Sequence, residues 1–239
     1  MPEIEPILAA NHIVRTYAGA NGVLAVRGAS LALKPKDFVA LMGPSGSGKT
    51  TFIGVLSGLD RPDEGEVTWK GAPITSMSPE ERKALRRTGM GVVFQSFGLL
   101  PMLSAVENVE LPLRFGGTPL EESRERASAW LDRLGLADRL DNRTFELSAG
   151  QQQRVAVARA LIAEPEVVLA DEPIAEVDTE NADLILDALW DVIRRGGAVL
   201  AATHNPEALR YASRVVLFHD GRVEAEGTPE ELAVQLAID

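Results

Sequence analysis

The residues with the clearest chemical meaning lie at positions 43–50, where the spacing is G-x-x-x-x-G-K-T. Glycines at this spacing let backbone N–H groups surround a phosphate, and a following helix adds the positive end of its dipole. Lys49 has the position that reaches terminal phosphates, and the Thr50 hydroxyl is a ligand for Mg²⁺. The pattern predicts a nucleotide-phosphate site formed by Gly43, Pro44, Ser45, Gly46, Ser47, Gly48, Lys49, Thr50 and Thr51.

A pair of adjacent carboxylates supplies a second set of reactive groups. Asp171 and Glu172 directly follow an apolar run at residues 167–170, a pattern typical of the end of a buried strand. We expect Asp171 to bind Mg²⁺ and Glu172 to polarise an attacking water as general base. Two solvated acids at a strand end are the alternative, and the phosphate-binding pattern upstream argues against it.

A sheet is needed to position these groups. Short apolar runs are typical of strands buried on both faces, and they occur at residues 38–42, 92–94, 167–170, 198–202 and 215–218. They alternate with predicted helices at about 49–58, 78–88, 118–134, 151–163, 179–195 and 206–212. This alternation predicts an α/β fold with a mainly parallel core sheet flanked by helices.

Two further regions complete the predicted architecture. Strands at 7–14 and 23–33, joined by a Gly/Asn-rich turn at 18–22, indicate an N-terminal antiparallel β subdomain. We expect one domain over residues 1–239, with a core at about 1–88 and 164–239 and a helical subdomain at about 89–163. Residues 96–113 are apolar but broken by Gly98, Pro101 and Pro112, so we expect an irregular segment there that serves as a contact surface.

Composition excludes several classes of function. The net charge of −11 opposes nucleic-acid binding. The chain has no cysteine and only three scattered histidines, so a bound metal would have to be held by oxygen. No apolar run approaches the roughly 18 residues of a membrane span, and the start Met1-Pro2-Glu3-Ile4-Glu5 lacks a basic signal region, so we expect a cytoplasmic protein.

The motif Leu147-Ser148-Ala149-Gly150-Gln151 resembles the signature of ABC ATPases, whose usual form is Leu-Ser-Gly-Gly-Gln. With the phosphate loop and the carboxylate pair, the resemblance extends over essentially the whole chain and implies a P-loop NTPase fold with ATP and Mg²⁺ as ligands. A serine hydroxyl and glycine N–H groups at a helix start form a second γ-phosphate receptor. The resemblance implies a head-to-tail dimer with a second copy or a homologous subunit, in which Ser148, Gly150 and Gln151 close on ATP held by Lys49 of the other subunit.

Four other positions match the family in order. Tyr17 is similar to the aromatic residue that stacks on adenine, although a tyrosine at a strand edge is often simple packing. Gln95 resembles the glutamine that senses Mg²⁺ and the γ-phosphate and begins the region facing the membrane partner. Asp178 matches the aspartate that crosses the dimer interface, and His204 the switch histidine that hydrogen-bonds the γ-phosphate. The resemblance thus implies catalytic roles for Lys49, Gln95, Glu172 and His204, and metal ligation by Thr50, Gln95 and Asp171.

Shorter stretches resemble the subgroup of lipoprotein-releasing, macrolide-exporting and cell-division ATPases; they are Gly58-Leu59-Asp60, Leu100-Pro101, Glu107-Asn108-Val109 and Pro112-Leu113. The resemblance implies an ATPase that drives separate permease subunits from the inner face of the cell membrane. A division-type ATPase that works a membrane partner without transport and a regulatory module without turnover remain alternatives. An ABC ATPase acting on DNA or ribosomes would need a coiled-coil insertion, a tandem domain or a basic arm, and we expect no nucleic-acid partner.

Two departures from the family pattern concern coupling between subunits. Ala149 replaces the first signature glycine and adds a methyl group where backbone approaches phosphate. Ile174 stands where the subgroup usually has threonine, and Ala175-Glu176-Val177 replaces Gly-Asn-Leu before Asp178. We therefore expect an active ATPase with altered coupling between its two ATP sites.

Overall fold

The computed structural model describes residues 4–18 and 22–236. The turn predicted at 18–22 includes residues 19–21, which lie outside the described residues. Within the described part, ten strands form two sheets: β1 Leu8–Tyr17, β2 Val23–Leu33, β3 Phe38–Met42, β4 Glu64–Trp69, β5 Ala72–Pro73, β6 Met90–Val93, β7 Val167–Asp171, β8 Ala198–Thr203, β9 Arg214–His219 and β10 Arg222–Gly227. Seven α-helices lie in the same part of the chain: α1 Lys49–Leu56, α2 Pro79–Thr88, α3 Ala105–Phe115, α4 Leu120–Arg133, α5 Ala149–Leu161, α6 Thr179–Arg194 and α7 Ala233–Leu236.

The core sheet has six strands in the order β10-β9-β3-β8-β7-β6. All neighbouring pairs from β9 to β6 are parallel, and β10 joins β9 antiparallel. Every residue of β3, β7 and β8 is buried, because helices cover one face of the sheet and the second sheet with α1 covers the other. The predicted α/β class with a mainly parallel core is confirmed.

The second sheet is antiparallel, with the order β2-β1-β4-β5. It packs in one apolar cluster with α1 and with alternate side chains of the core strands, among them Val39 and Leu169. The intervening side chains, such as Phe38 and Val168, enter a second cluster beneath α3, α5 and α6. Asp171 follows Leu169 by two residues on β7 and therefore lies on the α1 side of the core sheet.

The segment expected to be irregular at 96–113 contains α3, which is a correction. Ser104 caps this helix, since its hydroxyl accepts from the Glu107 amide and the Glu107 carboxylate accepts from the Ser104 amide. Four apolar positions on one face, at 105, 106, 109 and 113, are buried in the core. Capping and burial together stabilise a helix that contains Pro112, whose presence suggested a break.

Other helices and subdomains have boundaries in the structure that differ from those predicted. The helix predicted at 118–134 is α4, which begins at Leu120, and its N-cap residue Pro119 provides no side-chain hydrogen bond. The helix predicted at 206–212 is a short 3₁₀ turn over Pro206–Arg210. Helix α7 begins at Ala233, after a turn in which the Thr228 hydroxyl accepts from the Glu231 amide. The helical subdomain predicted from residue 89 includes β6, which pairs with β7 in the core sheet, so the helical part starts after Val93.

None of the helices in the described ranges, 4–18 and 22–236, has the length and apolar character needed to cross a membrane.

Candidate nucleotide-binding site

A pocket of about 390 Å³ surrounds the loop between β3 and α1. Residues 45–51 form its floor, and Tyr17, Gln95, Asp171 and Glu172 reach it from other parts of the chain. The carboxyl ends of β3, β6 and β7 lie at the same edge of the parallel sheet, which explains why side chains so distant in sequence meet there. The structure therefore brings together the predicted phosphate loop and the predicted metal and base residues.

The loop conformation depends on glycine. Gly48 has φ +104°, and a Cβ there would lie 2.2 Å from the Ala25 carbonyl oxygen. Gly46 has φ +79° and lies in open space, with nothing within 4 Å of a Cβ position. One glycine thus permits a close backbone contact, and the other exposes backbone to the pocket.

Lys49 is the first residue of α1 and is only 6% exposed. Its Nζ donates to the carbonyl oxygens of Gly43 at 2.6 Å and Pro44 at 3.0 Å. Burial lowers the pKa of Lys49, although Glu172 and Asp171 act in the opposite direction. The loop therefore holds an ammonium group beside the amino end of α1, where both favour an anion.

Asp171, Thr50 and Gln95 supply the oxygen atoms that a magnesium ion requires. Asp171 is 4% exposed, and burial raises its pKa while a hydrogen bond with the Thr50 side chain lowers it. No cluster of three or more histidine, cysteine, aspartate or glutamate side chains within residues 4–18 and 22–236 could hold a metal alone. This set, a carboxylate, a hydroxyl and an amide, fits a magnesium ion that completes its coordination with nucleotide phosphates and water.

Glu172 is fixed by its backbone and by His204. Its φ of +49° is unusual for a residue other than glycine, and its amide donates to the Ala202 carbonyl oxygen at 2.8 Å. His204 Nδ1 lies 2.9 Å from Glu172 Oε1, and since a carboxylate only accepts, the imidazole is the donor. Glu172 Oε2 is buried and has no hydrogen-bond partner among the described residues. The polar atom left free is the one that a general base would use.

His204 itself does not line the pocket. It follows β8 as predicted, and its side chain is 64% exposed. The contact with Glu172 was missed at the sequence level, because no local pattern relates these residues. The γ-phosphate contact that the resemblance implies for His204 stays a prediction.

The signature residues lie away from the pocket of their own chain. Ser148 caps α5: its hydroxyl accepts from the Gln151 amide at 3.3 Å, and Gln151 Oε1 accepts from the Ser148 amide at 2.9 Å. Asp178 caps α6 by accepting from the Asn181 amide at 2.9 Å. A Cβ at Gly150 would lie 2.7 Å from the Glu176 carbonyl oxygen. The start of α5 thus packs on the segment that follows Glu172, while Ser148 and Ala149 are exposed.

Tyr17 stands at the pocket rim and is 40% exposed. Its hydroxyl donates to Asp60 Oδ2 at 2.8 Å, and the Arg15 guanidinium lies 4.8 Å from the ring centroid. These contacts hold the ring at the rim, where stacking with a base is possible. Sequence reasoning missed β2 and the Asp220-Gly221 turn as pocket walls. An Asp-Gly pair is typical of a two-residue hairpin turn, but nothing local relates this turn to the phosphate loop.

Comparisons with known proteins agree with this geometry. The sequence model of a family described as "ABC transporter" matches residues 26–175. The lipoprotein-releasing system ATP-binding protein LolD of Maricaulis maris is 44% identical over 219 residues, which cover 91% of this chain and 96% of the relative. The macrolide export ATP-binding/permease protein MacB of Syntrophobacter fumaroxidans is 45% identical over 218 residues, which cover 90% of this chain and 30% of the relative.

The chain spans about a third of the length of its macrolide-export and pyoverdine-export relatives. Among solved structures, the dimeric post-hydrolysis state of the ATP-binding cassette MJ0796 bound to ADP and Pi superposes with a TM-score of 0.88. That structure is 37% identical in sequence, and the match covers 92% of this chain and 98% of that one.

Proposed function

This chain belongs to the ABC transporter family, and from that premise we propose that it is a subunit that binds Mg·ATP and hydrolyses it to drive a separate membrane permease. The observation that carries the proposal is the convergence of Lys49, Thr50, Gln95, Asp171 and Glu172 on one pocket. These groups together match the needs of phosphoryl transfer to water: phosphate binding, a metal site and a base.

The proposed reaction converts ATP and water to ADP and phosphate. Glu172 Oε2 accepts a proton as the water oxygen bonds to the γ-phosphorus and the bond to the β-phosphate oxygen breaks. His204 holds the other carboxylate oxygen at 2.9 Å, which directs Oε2 toward the water. Lys49 and the loop amides stabilise the charge that develops on the phosphate oxygens. A magnesium ion held by Thr50, Gln95 and Asp171 would neutralise charge on the β- and γ-phosphates.

We also propose that this site is one half of a composite site in a head-to-tail dimer. Ser148, Gly150, Gln151 and Asp178 lie outside the pocket of their own chain, and the N–H groups and dipole of a helix start form a receptor for phosphate. In the proposed dimer they cover ATP bound by Lys49 of a second copy or of a homologous subunit. The dimeric state of the cassette bound to ADP and Pi supports the dimerisation that this arrangement requires.

The relatives suggest the nature of the membrane partner. LolD, which this chain matches over 96% of its length, is named as an ATP-binding protein, whereas MacB is named as an ATP-binding/permease protein. We propose that this chain works as one ATPase domain, with residues 94–163 as a helical subdomain. It would act at the inner face of the cell membrane on permease subunits.

Mixing two inactive variants tests the composite site. Lys49→Ala removes the phosphate lysine and Ser148→Ala removes the signature hydroxyl, so each variant alone forms no intact site. If the sites are shared between subunits, a mixed dimer contains one intact site and one doubly defective site. Random 1:1 mixing should then restore about a quarter of the wild-type sites, measured as ATPase activity and as ATP-dependent dimerisation by light scattering.

A mixture that shows only the average of the two separate variants in both measurements would contradict the shared site. The control is a mixture of Lys49→Ala with a second variant at the same lysine, Lys49→Gln, which cannot form an intact site in any pairing.

A further inference from the structure

The turn between β9 and β10 lies against the phosphate loop. The Gly221 amide donates to the Ser47 carbonyl oxygen at 2.8 Å, and the Gly221 carbonyl oxygen accepts from the Arg27 amide of β2 at 2.7 Å. The turn therefore connects the middle of the phosphate loop to the antiparallel sheet through two backbone hydrogen bonds.

The first of these bonds sets the orientation of a phosphate-loop amide. The Ser47 carbonyl and the Gly48 N–H belong to one planar trans peptide, in which the two groups point in opposite directions. Because the carbonyl is held by Gly221, the Gly48 N–H faces away from the turn. Gly48 lines the pocket, and backbone N–H groups of such a loop are the donors to phosphate.

Close packing fixes the same region. A Cβ at Gly221 would lie 2.7 Å from the Ala25 carbonyl oxygen, and a Cβ at Gly48 would lie 2.2 Å from that same oxygen. Gly221 has φ +75°. The turn and the phosphate loop thus pack against the same carbonyl oxygen of β2, and a side chain at either position would push that strand away from both.

We propose that Gly221 is a positioning residue for nucleotide binding: it holds the Ser47–Gly48 peptide so that the Gly48 amide is presented to the phosphates. This inference rests on the proposed ATP site. The residue acts through Ser47 and Gly48, so its loss should weaken nucleotide binding more than it slows the chemical step.

A second hairpin turn provides a matched control. Lys70 and Gly71 join β4 to β5 with φ values of +46° and +77°, and Asp220 and Gly221 have +46° and +75°. The two turns share a backbone conformation in which glycine is favoured. A Cβ at Gly71 would meet nothing within 4 Å, so alanine there introduces the same strain in φ at a turn that does not adjoin the phosphate loop and without the contact with β2.

The test compares Gly221→Ala with Gly71→Ala in the full chain, with Mg·ADP as the probe. We expect the Kd for ADP, measured by calorimetry, to rise about tenfold in Gly221→Ala, the factor expected for loss of one ordinary hydrogen bond. Gly71→Ala should bind ADP as the wild type does, and it should lose less thermal stability than Gly221→Ala because its Cβ meets no neighbour. At saturating ATP, kcat of Gly221→Ala should stay within about twofold of wild type, so the effect appears in KM.

Equal ADP affinity in Gly221→Ala and wild type, or a loss of kcat with unchanged KM, would overturn the inference. If Gly221→Ala does not fold, hydrogen exchange of backbone amides in the wild-type protein tests the inference. ADP should slow exchange of the Gly221 amide and leave exchange of the Gly71 amide unchanged. An equal effect of ADP on the two turns would count against the proposal. Failure of the wild type itself to bind ADP would instead overturn the proposed ATP site.

Discussion

The phosphate pocket and the signature segment are built in opposite ways. In the pocket, Lys49, Asp171 and Glu172 are each less than a tenth exposed, and one oxygen of Glu172 has no partner among the described residues. At the signature segment, Ser148 is exposed and its polar groups are paired with Gln151 in a capping box. The pocket holds charge that the fold alone leaves incompletely compensated, whereas the signature segment is a stable helix start without any ligand.

This difference has an energetic side. Burial raises the pKa of Asp171 and lowers that of Lys49, so in both cases the fold disfavours the charged form. Such groups are stabilised when a ligand of suitable charge arrives. The signature segment holds no such uncompensated charge within its own chain. Its contribution to ATP binding depends on contact with a second molecule.

Removing the proposed base from the pocket should have the largest effect, and the effect should be on ATP turnover. Glu172→Gln keeps the shape of the side chain but removes the base, so ATP turnover should fall by about 10²- to 10⁴-fold. Binding of Mg·ADP should be retained, because Lys49 and the loop are unchanged. Steady-state phosphate release and calorimetry measure the two quantities. Glu180→Gln, an exposed position on α6, is the matched control and should turn over ATP as wild type does.

Equal turnover of Glu172→Gln and wild type would show that the base is elsewhere. Loss of ADP binding together with turnover would instead indicate that Glu172 acts in assembling the pocket.

Stability should change in opposite directions at the two regions. Asp171→Asn removes a carboxylate whose charged form the fold disfavours even with Lys49 nearby, so the nucleotide-free protein should be stabilised. We expect a rise in Tm of about 2 to 4 °C at pH 7.5, equivalent to about 1 kcal/mol in a domain of this size. Ser148→Ala removes a helix cap and should lower Tm by a similar amount. Thermal unfolding without nucleotide measures both.

The pH dependence of thermal stability shows whether the effect of Asp171→Asn arises from the charge of the carboxylate. The pKa of Asp171 is raised above its ordinary 3.8, so wild-type stability is reduced as pH rises from about 3.8 through the raised value. The advantage of Asn over Asp should therefore be complete at neutral pH and shrink as pH falls toward 4. An advantage that is constant with pH would show that it does not arise from the charge.

The sequence was sufficient for the parts of the site that follow one another along the chain. Residues 43–51 follow one buried strand and the Asp171-Glu172 pair lies at the end of another, and their positions could be predicted from local patterns. Two hydrogen bonds could not be predicted in this way: one joins His204 to Glu172, and the other joins Gly221 to Ser47. Each connects segments that only the order of strands in the sheet brings together. Helix α3 was missed for a related reason: its stability depends on burial against α4 and α5, which outweighs the local effect of Pro112.

The smallest expected effect concerns the residue by which the signature departs from its family. Ala149 is exposed at the first position of α5, and in the proposed head-to-tail dimer its methyl group would lie where the backbone approaches a phosphate of the second subunit. Ala149→Gly should strengthen ATP-dependent dimerisation of the Glu172→Gln protein by about twofold, since glycine permits closer approach. Gly150→Ala is the contrasting variant, because its Cβ would lie 2.7 Å from the Glu176 carbonyl oxygen of its own chain. It should weaken dimerisation by shifting the helix start, and if both variants dimerise like the parent protein, this end of α5 does not meet the phosphate of a partner.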